Sequence, residues 1–358
     1  MGTLSAGSVR WSATPARGRW VGRALRTHWY ALLVVLTLAF LVSAELVRRP
    51  SSAGDLVWLM HTGAIVFLIA LAAARRIPPA LPMTVRRIRL VGADGVEGSH
   101  TMQVLDALEP IRQRYAKIGI PVGVAMMAAF WLWAGGDRIW SNLLFWLELV
   151  AAAGAGYVVG GFVAYGRLGH VLDTLELRPV ASPGHPDGAA GLRPVGALYL
   201  RQALIVALIG VFTGVWWLLF PTIGGYDHWR DPYLGIVLVC VVLEAVALFL
   251  PLRSFHRQME RERTRLLDEA DEAARRVEQL DLKQWSTTDA EEAARLGAER
   301  ERALARWQAI DSMPTWPVDL QIRKRFAWSN LAMLVPVALQ IINAPQILQQ
   351  ISSALSGL

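Results

Sequence analysis

Glu244 lies near the middle of an apolar run, with Val241, Val242, Leu243, Ala245, Val246 and Ala247 around it. These neighbours offer no local polar partner, so its carboxyl must look to another helix or to water. Ionised in an apolar pocket it would be prohibitively costly. Glu148 and His61 sit about two helical turns inside two further apolar runs, and Glu45 lies near the edge of a third. Ionisable groups at such depth mark cation or proton paths, with His61 as a titrating partner. The plainer reading gives each carboxyl a hydrogen bond to a neighbouring helix. Glu244, the deepest, is the strongest candidate for a path.

A second constellation lies at 167–198. His170, Asp173 and Glu176 follow one another at i, i+3 and i+6, and His185-Pro186-Asp187-Gly188 comes shortly after. On a helix the first three share roughly one face, and His185 and Asp187 would complete a His-and-carboxylate metal shell. As turn chemistry the string is ordinary: Pro sets φ, Asp folds back on its own backbone, and Gly accepts positive φ. Nothing in the spacing fixes a ligand geometry, so the metal question stays undetermined. Nucleophile-elbow, His-Glu-x-x-His, phosphate-loop and dinucleotide signatures are absent, so no cofactor is expected and the enzyme reading is the weakest.

The elements that must position these residues are membrane spans. Hydrophobic residues make up 54% of the 358 and charged residues only 18%, below the quarter or so usual in soluble domains. Apolar stretches of roughly 18 to 25 residues, long enough for a ~30 Å hydrocarbon core, fall near 28–47, 55–74, 119–135, 142–166, 199–220, 233–252 and 327–348. The third is the shortest, and the last is interrupted by Pro336, Asn343 and Pro345. With the N-terminus inside, cytoplasmic segments hold 32 of the 36 Lys and Arg residues, leaving outside only Arg48, Arg49, Arg138 and Arg230. That bias sets orientation as N-in, C-out. Trp131, Trp133, Trp140, Trp146, Trp216, Trp217 and Trp229 gather near the outer interface, where indoles favour headgroups. The net charge of +7 is then explained by anionic lipid, not nucleic acid. The lone Cys240 excludes an intramolecular disulfide and a cysteine-based zinc site.

The expected fold is therefore an all-α membrane protein of about seven transmembrane helices with a cytoplasmic antiparallel coiled-coil hairpin. Residues 1–26 form a disordered basic arm; 27–252 hold six spans with cytoplasmic loops 75–118 and 167–198; 253–325 is the hairpin; 326–358 is the last span and tail. Within 75–118, Pro78, Pro79 and Pro82 mark a break, Thr84 to Val91 alternates like a short strand, and Ser99 caps a helix interrupted by Pro110. In the hairpin, Met259, Leu266, Ala270, Ala273, Val277 and Leu280 make a seam. Asp281 to Trp285 breaks it. Thr288 with Glu291 opens a second helix with Ala293, Leu296, Ala303, Trp307 and Ile310 on one face. No glycine or helix-stopping proline intervenes between Leu252 and Leu282, so the sixth span should run directly into the hairpin and carry it ~40 Å into the cytoplasm. In the fourth span, Gly154, Gly156, Gly160, Gly161 and Gly166 suggest tight helix packing or, more sharply, a flexible gate.

His185-Pro186-Asp187-Gly188-Ala189-Ala190-Gly191-Leu192 resembles a His-Pro-Asp-x-x-Gly-Gly-Leu loop found between two spans of uncharacterised bacterial integral membrane proteins. Ala190 replaces one glycine of that pattern, and Trp316-Pro317-Val318-Asp319 adds a looser likeness. The resemblance implies a bacterial inner-membrane protein and brings no activity. The leading functional expectation is a homo-oligomeric channel-like or transport protein with a helical lever. A membrane-anchored signalling or scaffold protein, with a cytoplasmic partner on the hairpin, comes second. An enzyme acting on lipids at the 167–198 loop comes third.

Overall fold

A computed structural model describes residues 54–133 except 93, 94, 96 and 99, then 143–220 and 230–341, with separate helical positions between 31 and 42. The described residues are all-α apart from one two-residue strand pair. Helix α1 (Gly54–Arg75) turns at Arg76 into α2 (Ile77–Arg87). After β1 (Leu90–Val91) come α3 (Thr101–Trp133), α4 (Leu143–Tyr165), α5 (Leu168–Thr174), β2 (Arg178–Pro179) and α6 (Arg193–Leu219). The chain ends in α7 (Arg230–Ser286), α8 (Ala290–Asp311) and α9 (Leu320–Ile341).

Among the described residues, five helical stretches are long and apolar enough to cross a membrane: His61–Arg87, Thr101–Trp133, Phe145–Tyr165, Arg193–Leu219 and Arg230–Ser286. Of the other two expected spans, most of 28–47 and all of 342–348 lie outside the described residues, as do Glu45, Ser99 and the 1–26 arm. α9 covers the first part of the last expected span and continues through Pro336.

Two local expectations are corrected. Thr84 to Val91 is not a strand. Pro78 and Pro79 open α2, at positions where a helix does not need their missing N–H groups. Its buried residues Ile77, Leu81, Thr84 and Val85 recur at helical spacing, and only Leu90 and Val91 pair with Arg178 and Pro179. Pro110 does not interrupt its helix either. α3 runs unbroken through Pro110 and Pro121, because close packing along α4 offsets the backbone bonds that proline removes.

That packing is a glycine seam. A methyl on Gly119 would overlap the Gly156 carbonyl, one on Gly156 the Gly119 carbonyl, and one on Gly160 the Tyr115 carbonyl. Gly123 faces Ala152 in the same antiparallel register. Small residues let the two backbones touch. In the other half of the bundle, Gly210 of α6 meets Met333 of α9 and Cys240 of α7.

One end of the bundle closes over the largest hydrophobic core. It draws Leu81 from α2, Leu108 from α3, Leu172 from α5, Tyr199 from α6, Phe255 from α7 and Ile322 from α9. Tyr199 and Phe255 are fully enclosed, each worth about 1.5–3 kcal/mol of transfer from water, and the Tyr199 hydroxyl donates to the Tyr165 carbonyl at 2.9 Å. Residues of the segments 75–118 and 167–198 thus join one packed layer at that end of the bundle.

Beyond that layer α7 continues and α8 returns beside it. Arg306 pairs with Glu269 (2.6 Å), Arg276 with Glu299 (3.5 Å) and Arg300 with Asp281, so that Glu299 and Arg300 of α8 face a later part of α7 than Arg306 does. Met259, Ala270, Leu280, Leu296 and Ile310 are buried. The last buried residue of the seam is Leu280, and α7 itself extends to Ser286. The cap of α8 is Asp289, whose side chain accepts the Glu291 N–H at 3.0 Å, and not Thr288. Trp307, expected on the packed face, is 37% exposed.

Candidate functional site

The His185-Pro186-Asp187-Gly188 string folds around Asp187. Its Oδ1 accepts the N–H groups of Ala189 and Gly191, each at 2.9 Å, and its Oδ2 accepts that of Arg193 at 3.2 Å. The His185 ring places Nδ1 2.9 Å from Oδ1. Proline and glycine turn the chain tightly enough for one carboxylate to collect these donors, and the last of them belongs to the first residue of α6. Burial is the largest single influence on this carboxyl and by itself raises its pKa. The N–H groups of Gly191 and Ala189, the His185 ring and the N–H of Arg193 together outweigh burial and hold Asp187 below the usual carboxylate range. Ala190 and Gly191 both take left-handed backbone, with φ of 53° and 88°. That conformation accounts for the glycine pair of the pattern this loop resembles.

Arg193 carries the loop to a segment far along the chain. Its Nε meets Asp319 Oδ2 at 2.7 Å and its Nη2 donates to Gln321 Oε1 at 2.7 Å. Asp319 in turn accepts the Ile322 N–H at 2.8 Å and so caps α9. Just before it, Trp316 stacks on His256 of α7 with ring centres 4.2 Å apart and planes 11° apart. His256 Nδ1 lies 2.6 Å from the Thr315 carbonyl, and Phe249 packs edge-on against Trp316 and Phe326. The two strings singled out in the sequence therefore meet at one junction, which fixes the starts of α6 and α9 against α7.

The metal shell considered above does not assemble. Among the described residues, no group of three or more His, Cys, Asp or Glu side chains could hold a metal ion. Asp187 spends its lone pairs on the loop. Asp173 accepts from Gln258 Nε2 at 2.9 Å, His170 is exposed on α5, and Glu176 sits in the turn after it with φ 55°. What the loop can do chemically is hold backbone.

The membrane-depth candidates also find separate surroundings. Glu148 Oε2 accepts the Trp131 indole N–H at 2.6 Å, from α4 to α3. His61 is half-buried on α1. Glu244 is fully buried, and its Oε1 accepts a hydrogen bond from Ser329 Oγ of α9 at 2.5 Å. Its other oxygen is enclosed without a partner. The Ser329 hydroxyl also lies 2.9 Å from the Phe326 carbonyl and 3.0 Å from that of Arg325, so one proton serves three acceptors.

Sequence reasoning missed Ser329, Arg193 and Gln202. Ser329 carried a signal, since it is a hydroxyl within an apolar run. Gln202 is buried on α6 with its Nε2 unpaired. Gly119 and Gly123, the partners of the glycine-dense helix, were readable as a four-residue spacing. Arg193 gave no local signal, because its partner is 126 residues away in the chain. Compared with protein-family models, with characterised proteins and with solved structures, the chain gave no match.

Proposed function

We propose that this chain is a membrane-anchored scaffold or signalling protein, working as a homo-oligomer, whose spans are mechanically coupled to the α7–α8 projection. The observation that carries this reading is the continuity of α7. It is a single 57-residue helix, roughly 85 Å long at 1.5 Å per residue. It contributes Glu244 to the bundle, Phe255 and Met259 to the packed layer, and Ala270 and Leu280 to the contact with α8. A small shift or rotation at one end of such a rod is felt at the other. The Arg193 and Trp316 junction grips it where bundle and projection meet. Leu282 and Trp285 stand exposed at the far turn, where a protein partner or a second copy would find them. In this reading the projection and the basic end of the bundle face the cytoplasm of a bacterial cell, as the distribution of Lys and Arg supports.

A second reading, a channel-like or transport protein, is favoured by one observation: the enclosed and unpartnered Oε2 of Glu244. Reconstitution in liposomes separates the two. The scaffold reading expects no ion or proton flux from the wild type, and an intact oligomer after Glu244→Gln. Flux in the wild type that Glu244→Gln abolishes, with the oligomer preserved, would replace it with the transport reading.

A further inference from the structure

Between the end of α2 and the start of α3 lies an open cleft of about 550 Å³, lined among others by Arg86, Arg87, Arg89, Glu97, His100 and Thr101. Its charges do not cancel. Arg89 and Glu97 hold each other through two hydrogen bonds, at 2.8 and 2.6 Å. Arg86 and Arg87 are exposed and make no ion pair among the described residues. The remaining contributors are donors as well. His100 keeps Nε2 shut away from solvent without a partner, while its Nδ1 shares a 3.3 Å hydrogen bond with Gln103. The 33-residue α3 starts at Thr101 with no acidic residue in its first turn, so its N-terminal partial charge is left uncompensated.

We infer that this cleft binds a phosphoryl group. Two guanidiniums with no ion pair among the described residues and the positive end of a long helix line this concave surface. Guanidinium forks match the oxygens of a phosphate bidentately, and a tetrahedral oxyanion spreads its acceptor oxygens over donors that converge from different directions. The same chemistry is offered by a free phosphate compound and by the headgroup of an anionic phospholipid. The inference does not depend on how the projection works, since neither Glu244 nor the Asp187 loop lines the cleft.

The test uses the full chain in nonionic micelles. Inorganic phosphate is titrated against chloride at matched ionic strength, and binding is followed by equilibrium dialysis and by melting temperature. In parallel, short-chain phosphatidylglycerol is compared with short-chain phosphatidylcholine. Saturable binding of phosphate, of phosphatidylglycerol, or of both is expected, weakened at least ~10-fold in Arg86→Gln/Arg87→Gln by the loss of charge-assisted hydrogen bonds. A response to phosphate identifies a soluble ligand, and a response to phosphatidylglycerol alone identifies a lipid. Glu97→Gln removes the one carboxylate of the rim among the described residues and should tighten binding several-fold, a gain that an unfolded variant could not show. The inference is overturned if neither probe binds, or if the arginine variant binds as the wild type does.

Discussion

Replacing Asp187 separates a structural from a chemical role for the most distinctive string in the chain. In Asp187→Ala the N–H groups of Ala189, Gly191 and Arg193 all lose their acceptor. Truncating a side chain of this capping kind costs about 0.5–2 kcal/mol, and leaving a partly buried N–H unpaired adds about 1–3 kcal/mol. The expected loss is therefore about 3 kcal/mol. Asp187→Asn keeps one carbonyl oxygen for Ala189 and Gly191 but loses the charge and the bond from Arg193, so about 1 kcal/mol is expected. Unfolding by dodecyl sulfate in mixed micelles, followed by tryptophan fluorescence, reads both values. The pH dependence gives an independent check. Because the carboxyl is held low in the folded state, its stabilisation is fully present above the unfolded-state pKa of about 3.9 and disappears as pH falls through the lower folded-state value. The gap between wild type and Asp187→Asn should thus be constant from neutral pH down to roughly pH 5 and close below about pH 4. A gap that widens in acid refutes the reasoning. So does Asp187→Ala with unchanged stability, which would return the loop to a chemical role.

Further outcomes follow from the same geometry. At Gly191 an added methyl meets nothing closer than 3.9 Å, so Gly191→Ala isolates the cost of left-handed backbone, about 1–2 kcal/mol. Ala190→Gly should be neutral within about 1 kcal/mol, because relief at φ 53° is offset by the lost methyl and the more flexible unfolded chain; both are read in the same unfolding assay. Gly156→Ala should separate α3 from α4 and cost about 1–3 kcal/mol or more, measured the same way. In a Cys240→Ala background, a cysteine at Ser286 should resist an impermeant thiol reagent in intact bacterial cells and react once they are opened. Labelling in intact cells would reverse the proposed orientation.

Much of the bundle was legible because apolar length is a local property. The apolar runs behind the five candidate spans, the end of α8 before Pro314 and the continuity of α7 can all be read from residues close together in sequence. The layer beneath the spans was not legible, and the reasons are specific. Thr84 to Val91 satisfies a period of two as well as it satisfies a helix, and the choice was made by Ile77 and Leu81 packing inward alongside Thr84 and Val85. Pro110 was read as a break because its local effect is a lost hydrogen bond. The compensation comes from α4, about which Pro110 itself says nothing. Trp307 fell by spacing on the same apolar face as Leu296 and Ile310, yet only those two take the interior while the larger indole stays 37% exposed. The candidate site shows the same division. His185 and Asp187 were visible as a turn, whereas their continuation through Arg193 to Asp319 depends on the fold.

That continuation changes where unexplained chemistry should be sought. Asp187, Asp319, Arg193 and His256 are the ionisable groups of that junction, and each has a partner within the protein: backbone N–H groups, a capped helix, a carboxylate, a stacked indole. Groups so fully engaged hold structure and have little capacity left for a ligand. Most of the unmet groups are elsewhere: Glu244 Oε2, Gln202 Nε2, Trp217 Nε1 and His100 Nε2 are enclosed without a partner among the described residues, and beside the junction only Gln258 Oε1 is. Native interiors leave few polar atoms in that condition, because each costs about 1–3 kcal/mol. Glu244 and Gln202 lie on the antiparallel pair α7 and α6 that also packs on α9, and Ser329 of α9 already shares its single proton between Glu244 and its own backbone. A water donating to Glu244 Oε2 would supply the hydrogen bond that the described residues leave open there, on the rod that joins the bundle to its projection.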